Sequence, residues 1–256
     1  MTTLDNPPLI EAIFVLQWGE VAPRQFVYTQ DEQTLFTGKI SASASSNGYK
    51  ITENIQQNQG FMMPKLVSHR FRKYKNSYPC FQVGLGIFTI NQVKDNYNWS
   101  SFKESIKTGL EIYSEAEPNK LNDIKDTLSL SLHYQDAFFP ENNISTEEYL
   151  KEYFHVNAGL PESFFENTEI NRSKIGINMA INVETLNPKG AIVVSIANAI
   201  INDQSGLLMD TIVQSKVKDD FNGEAVGINE IMAWLEQAHN LQRHSFKNIV
   251  KSSVYK

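Results

Sequence analysis

The chain has 256 residues, 41% of them hydrophobic and 20% charged, with a formal net charge of −6. That length and usage allow one large domain or two small ones with a real core, and they exclude a disordered chain. The acidic balance excludes a surface that grips nucleic acid over its whole extent, although a local basic patch is compatible with it.

A single cysteine, Cys80, excludes an internal disulfide and a thiolate zinc site within the chain, and it fits a reducing compartment. The opening "MTTLDNPPLIEAIFVLQWGE" has no basic segment and no small-residue cleavage site, so it does not read as a signal peptide. The longest strongly apolar run, Ala191 to Ile201, is about half of what a transmembrane helix needs. A soluble cytoplasmic protein with no membrane association is expected.

In chain order, Ile10 to Trp18 is rich in β-formers and predicts a strand entered through Pro7 and Pro8 and ended by Gly19. Residues 21–60 are polar and mixed. With the turn signal Asn47-Gly48 they predict a loose hairpin or a long surface loop. Two strands follow, Ser68 to Lys75 and Cys80 to Val93, joined by a turn at Asn76–Pro79. Trp99, Phe102, Ile106, Leu110 and Tyr113 then recur at three- and four-residue steps, the stripe of an amphipathic helix capped by Ser100 or Ser101. Leu128, Leu130, Leu132 and Tyr134 alternate on one face of a half-buried strand.

Glu141 to Ser145 reads as an internal joint, with Ser145 capping the short helix "TEEYLKEYFH". Three strand-like runs come next: "SKIGINMAINVET", "GAIVVSIANAII" and "LLMDTIVQSKV". A last helix begins near Asn229, with Ile231, Leu235, Ala238, Phe246 and Ile249 as its stripe and Met232 and His239 beside it. Strands in runs, each closed by a long helix, predict an α+β fold. The expected form is a mainly antiparallel sheet with two long amphipathic helices in two pseudo-repeated halves, 1–140 and 141–256, that make one integrated unit. An ancient duplication is compatible with that order.

Two Glu-x-x-His steps, Glu236/His239 and Glu152/His155, match the spacing by which a helix offers a carboxylate and an imidazole to a di-metal centre. Such a centre needs four helices and two further inward glutamates, and this chain offers too few helices. His244 lies five residues from His239, about 140° around a helix, so the two imidazoles diverge. No metal or cofactor site is expected, and His239 reads as a buried, hydrogen-bonded core residue.

The run "HRFRKYK" interleaves cations with aromatics. As a strand it sends Arg70, Arg72 and Tyr74 to one side and His69, Phe71, Lys73 and Lys75 to the other. That pattern suits a phosphate backbone with stacked bases, and equally a charged edge strand that deters aggregation. Arg70, Arg72, Lys73, Tyr74 and Lys75 are therefore the candidate ligand or nucleic-acid contacts. "VGLGIF" is no phosphate loop; a G-x-G within a strand marks a bulge or close packing. "NDIKD", with Asp123 and Lys125, lacks the preceding strand acid of a nuclease motif.

"NPPLIEAIFVLQW" and "LEQAHNLQRHSFKNIV" together resemble an uncharacterised, sporadically distributed bacterial family of about this length. The family opens on a Pro-Leu-x-Glu-x-x-Phe strand and closes on a Leu-x-x-x-His helix with Phe seven residues beyond the histidine. The matching positions are Pro8, Leu9, Glu11 and Phe14, then Leu235, His239 and Phe246. "YNWSSFKESI" is similar to that family's central helix start, at Tyr97, Trp99 and Phe102, with one residue fewer between Tyr and Trp. Where the family tends to carry an arginine-tyrosine-asparagine step, this chain has His133, Tyr134 and Gln135. The resemblance spans nearly the whole chain and implies one unit, but it brings no activity, cofactor or substrate. Glu11, a charge in an apolar strand, must face solvent or a partner, and Arg70, Arg72 and His239 are the candidate partners.

No nucleophile elbow or paired-carboxylate cleft emerges, so the sequence argues for binding over catalysis. The leading expectation is a non-catalytic protein that binds an unidentified protein or an anionic ligand through its sheet or the groove beneath its long helices. The alternatives are a nucleic-acid-associated protein using the basic strand at 69–75, and a metal-dependent enzyme using the Glu-x-x-His pairs. A homodimer is compatible with all three.

Overall fold

The computed structural model describes residues 8–55, 66–95, 97–140, 144–171, 175–221 and 225–254. Pro7, the joint residues 141–143, and Ser173 and Lys174 of the first late strand-like run lie outside the described residues. In chain order the elements are β1 (Leu9–Gln17), β2 (Glu20–Ala22), β3 (Gln25–Phe26), α1 (Gln30–Thr34), α2 (Phe36–Ser46), β4 (Ile51–Asn54), β5 (Val67–Arg72), β6 (Cys80–Gly84) and β7 (Ile87–Val93). They continue with α3 (Trp99–Ala116), α4 (Lys120–Asp123), β8 (Ser129–Phe138), α5 (Thr146–Tyr153), β9 (Asn178–Leu186), β10 (Lys189–Ile201), β11 (Gln204–Lys216), α6 (Val217–Asp220) and α7 (Ile228–Ile249).

The fold is α+β. Nine strands form one antiparallel sheet in the order β4-β5-β6-β7-β1-β8-β11-β10-β9, and β2 and β3 pair separately. The N-terminal strand therefore lies at the centre, where Ala12, Ile13 and Phe14 oppose Tyr134, His133 and Leu132 of β8. Reading outward from that seam gives 1-7-6-5-4 on one side and 8-11-10-9 on the other. Each side is built in the same chain order: a central strand, a helix, a run of strands, and a long closing helix. Strands from before and after residue 140 belong to the same sheet.

Period-two alternation sorts the sheet into two faces. The first face is apolar. Phe14, Leu16, Phe81, Phe88, Ile90, Leu130, Leu132 and Val213 are all buried there. Helices α2, α3, α5 and α7 pack on it, as shown by Trp18 against Phe36 and Tyr113, Phe14 against Trp234, and Phe138 against Phe154. Each large side chain so buried contributes about 1.5–3 kcal/mol. A buried ion pair joins this core: Lys120 Nζ lies 2.9 Å from Glu32 Oε1, and the Trp18 indole donates to the same carboxylate.

Several local expectations change. Much of 21–60 is helix, because Phe36, Ile40 and Ala44 repeat at four-residue steps and all are buried; Asn47-Gly48 ends α2 and makes no hairpin turn. Residues 56–60 of that stretch lie outside the described residues. The run Cys80 to Val93 is two strands folded into a hairpin at Gly86. Gly86 has φ +72°, and a Cβ there would stand 2.9 Å from the Trp18 carbonyl oxygen, so only glycine fits. Asn98, not Ser100 or Ser101, caps α3, its side chain accepting from the Ser101 amide at 2.8 Å. Ser145 does cap α5, in a capping box with Glu148.

Two helical glycines separate packing from backbone entropy. A Cβ on Gly109 would lie 2.6 Å from Ile90 Cγ1 and 3.2 Å from Phe81 Cε1, whereas one on Gly38 meets nothing within 4 Å. Gly109→Val is expected to lose about 1–3 kcal/mol through overpacking. Gly38→Ala is expected to gain about 0.5–1 kcal/mol through the unfolded chain. Urea unfolding of both variants checks the opposite signs.

Candidate functional site

The second face of the sheet is polar and carries none of the four packed helices. Register sets its side chains in three rows. Arg70, Gln82, Thr89, Val15, Ser131 and Gln214 are successive partners across β5, β6, β7, β1, β8 and β11. The next row is Cys80, Asn91, Ile13, His133 and Ile212. The third is Val93, Glu11, Gln135, Asp210 and Ser195.

The rows are tied to each other. Thr89 Oγ1 donates to Asn91 Oδ1 at 2.5 Å, and Asn91 Nδ2 donates to Glu11 Oε1 at 2.8 Å. His133 Nε2 lies 2.8 Å from Ser131 Oγ, and Gln135 bonds Asp210. Burial pushes the His133 imidazole down to about 4 and raises Asp210 above the usual carboxylate range, with the Gln135 bond opposing the rise. Glu11, Ser131, His133, Gln135 and Asp210 are half-buried, so together they present donors and acceptors along the centre of this face, around half-buried Ile13.

Glu11 therefore meets the amide of Asn91, not one of the cations expected of it. Arg70 and Arg72 share a different partner: Glu53 Oε2 lies 3.6 Å from Arg70 Nη1 and 3.2 Å from Arg72 Nε. Arg72 is buried, donates to the Ser77 carbonyl, and sits 4.6 Å from the Tyr78 ring centroid. The expected strand ends at Arg72. Lys73, Tyr74 and Lys75 lie beyond it and are exposed, with Lys73 Nζ 5.0 Å from the Tyr49 ring.

His239 lies on the first face, beneath the two long helices. It is buried, its Nδ1 is 3.0 Å from Tyr134 Oη, and its ring stacks on Trp99 with centroids 3.6 Å apart and 8° between planes. Tyr134 Oη is in turn 2.7 Å from Tyr97 Oη. The start of α3, β8 and the middle of α7 thus meet at one place, through Tyr97, Trp99, Tyr134 and His239. Asp136 is the next inward residue of β8, with Oδ2 finding no hydrogen-bond partner among the described residues; the same holds for Thr211 Oγ1, opposite Tyr134. Burial, with Asp210 nearby, holds the Asp136 carboxyl near 7; burial, helped by the Arg243 charge, outweighs the neighbouring Glu236 and takes His239 down to about 4.

The Glu-x-x-His steps do not assemble. Glu236 is engaged by Lys103 at 2.7 Å, while His239 turns inward to Tyr134. His155 falls after α5 ends at Tyr153. Among the described residues no three of His, Cys, Asp and Glu are grouped to hold a metal ion. Two clefts formed by described residues have volumes of about 150 and 290 Å³, the first beside Gln92, Asn98 and Phe102, the second beside Lys151, Phe154 and His155. Both fall below the roughly 300–1,000 Å³ of small-molecule pockets. No described helix is long and apolar enough to cross a membrane.

Asp136, Thr211, Asn91 and Asp210 went unrecognised in the sequence. A signal existed for the first, since the alternation of Leu130, Leu132 and Tyr134 places Asp136 on the same apolar face. For Asn91 and Asp210 the signal is cross-strand register, which a single sequence does not display. Comparison with family profiles, curated proteins and solved structures returns no match.

The buried network imposes two opposed pH trends. Between about 4 and the ordinary 6.5, His239 is neutral in the folded chain and protonated in the unfolded chain, so its contribution to stability rises with pH. Between 3.8 and about 7, Asp136 is protonated when folded and ionised when unfolded, so its contribution falls as pH rises. Asp136→Asn is expected to be more stable than the unaltered chain at pH 8 by at least about 1 kcal/mol, with the difference vanishing near pH 4. Urea unfolding at the two pH values checks this, and a pH-independent difference would contradict it.

Proposed function

We propose that this chain is a binding protein whose partner is a polypeptide laid across the polar second face of the sheet. The observation that carries the reading is the accessible part of the array, in which half-buried Glu11, Ser131, His133, Gln135 and Asp210 come from three adjacent strands. Side-chain amides, hydroxyls and carboxylates in such rows match the alternating N–H and C=O groups of an extended peptide. The shape agrees, because a broad face suits a macromolecule whereas a small ligand needs a deep cleft.

Charge supports a polypeptide over a nucleic acid. The rows mix Arg70 with Glu11 and Asp210, and both strand arginines are paired with Glu53. Nor do the rows named above hold a Phe, Tyr or Trp ring on which a base could stack. The resemblance to the sporadic bacterial family belongs to the same reading, supported by the meeting of Trp99, Tyr134 and His239 in one place. Those residues act there as a structural lock. A cytoplasmic location is part of the reading too, supported by the single buried cysteine.

A displayed library of short peptides, selected on the immobilised chain, tests the proposal. Selected peptides are expected to lose at least tenfold in affinity for the double variant Ser131→Arg, Gln135→Arg, which crowds the face without entering the core. Equal affinity for the variant, or selection of no peptide at all, would overturn it. Salt-dependent retention of single-stranded nucleic acid that depends on Lys73 and Lys75 would overturn it in favour of a basic-patch binder.

A further inference from the structure

The two edges of the sheet are built differently. At one end β4 is four residues long, and its Glu53 is clamped by Arg70 and Arg72. Short, charged edges of this kind resist pairing with other chains. At the other end β9 runs nine residues, "NMAINVETL", with no lysine, arginine or proline and a single charge at Glu184. Its register with β10 is continuous from Leu186 to Asn178, without a bulge. Ile181 is 44% exposed, Val183 51% and Leu186 90%. None of the usual devices that blunt an edge is present in this strand.

The outward backbone groups can be assigned. Asn198 N donates to Ile177 O at 3.0 Å, and the β9–β10 register places those two residues opposite each other. Hydrogen-bonded and non-bonded pairs alternate along an antiparallel ladder. Odd-numbered residues of β9 therefore turn their N–H and C=O groups toward β10, and Asn178, Ala180, Asn182, Glu184 and Leu186 turn theirs outward. On the first face, Met179, Ile181 and Val183 oppose Ile196, Val194 and Ile192 of β10, which are buried. The apolar row of the core thus continues onto an open edge.

We propose that β9 is the interface of a two-fold dimer, in which a second copy adds its own β9 antiparallel and the sheet continues through both. The strand is complementary to itself. With the two-fold axis through Asn182, the midpoint of the strand, every residue from 178 to 186 is paired. Ile181 meets Val183 of the copy on the apolar face, a favourable β-branched pair. Asn182 meets its own equivalent, and its outward backbone makes this a hydrogen-bonded pair. Glu184 meets Ala180, so the one charge of the strand never opposes its like. Isologous pairing of one patch with itself is what a closed dimer requires. The dimer does not rest on the peptide-binding reading, since it uses the edge and leaves the polar face uncovered.

Sedimentation velocity and cysteine cross-linking test it. The unaltered chain is expected to sediment at twice its 29.1 kDa mass. Ile181→Lys with Val183→Lys is expected to weaken self-association at least tenfold with unchanged thermal unfolding of the monomer, because both side chains are exposed. Asn182→Cys is expected to form a disulfide-linked dimer on mild oxidation: the paired Cα atoms would be about 5.5 Å apart, within reach of a disulfide. Met179→Cys, opposite Thr185 of the copy, is expected not to cross-link. Native Cys80 is buried and does not compete. A monomer up to the solubility limit, a lysine variant that still dimerises, or cross-linking at Met179 in place of Asn182 would each overturn the proposal.

Discussion

The pairing of β1 with β8 is the constraint on which the rest of this structure depends. It joins two strands more than a hundred residues apart in sequence, and both closing helices, α3 and α7, are anchored over the seam. The same seam fixes what each face carries. A shift of one residue in either strand would move Phe14, Leu132 and Tyr134 to the polar side and bring Glu11, His133 and Gln135 under the helices. The core and the candidate binding face are therefore two consequences of one register.

The buried network strengthens that seam in a way an apolar core would not. Trp99 comes from the start of α3, His239 from the middle of α7 and Tyr134 from β8, and the hydrogen bonds and ring stacking among them specify one relative position for all three elements. Aliphatic packing tolerates sliding and rotamer exchange, whereas a neutral buried imidazole held by a tyrosine hydroxyl does not. Asp136 sits beside this lock as a carboxyl that burial holds near 7, so the region combines rigidity with sensitivity to pH.

Much of the architecture was legible because it is written in local periodicity. The alternation from Leu128 to Tyr134 and the stripe from Trp99 to Tyr113 each specify an element and its buried face, and so an α+β fold. The burial of His239 followed from its place at the margin of the last helix's stripe. Other features depend on pairing across the chain. Glu11 looked in need of a cation, but the register delivered Asn91 from β7; Arg72 looked like a surface contact, but β4 delivered Glu53. Helix α2 was obscured by its small residues, since "SASASS" holds no large apolar side chain and only Phe36, Ile40 and the small Ala44 mark the buried side. Ser129, Ser131, His133 and Gln135 alternate in β8, but the extent of the polar face appears only when β1, β8 and β11 lie side by side.

If β1 and β8 form the seam of a single cooperative unit, their amides should open only with the whole molecule. Native-state hydrogen exchange measures this residue by residue. Ala12, Phe14, Leu132 and Tyr134 are expected to exchange slowest, all at the free energy of global unfolding and with one common dependence on denaturant. Exchange of the β8–β11 side at a lower free energy, while the β1–β7 side stays protected, would show two units that open independently and would contradict it.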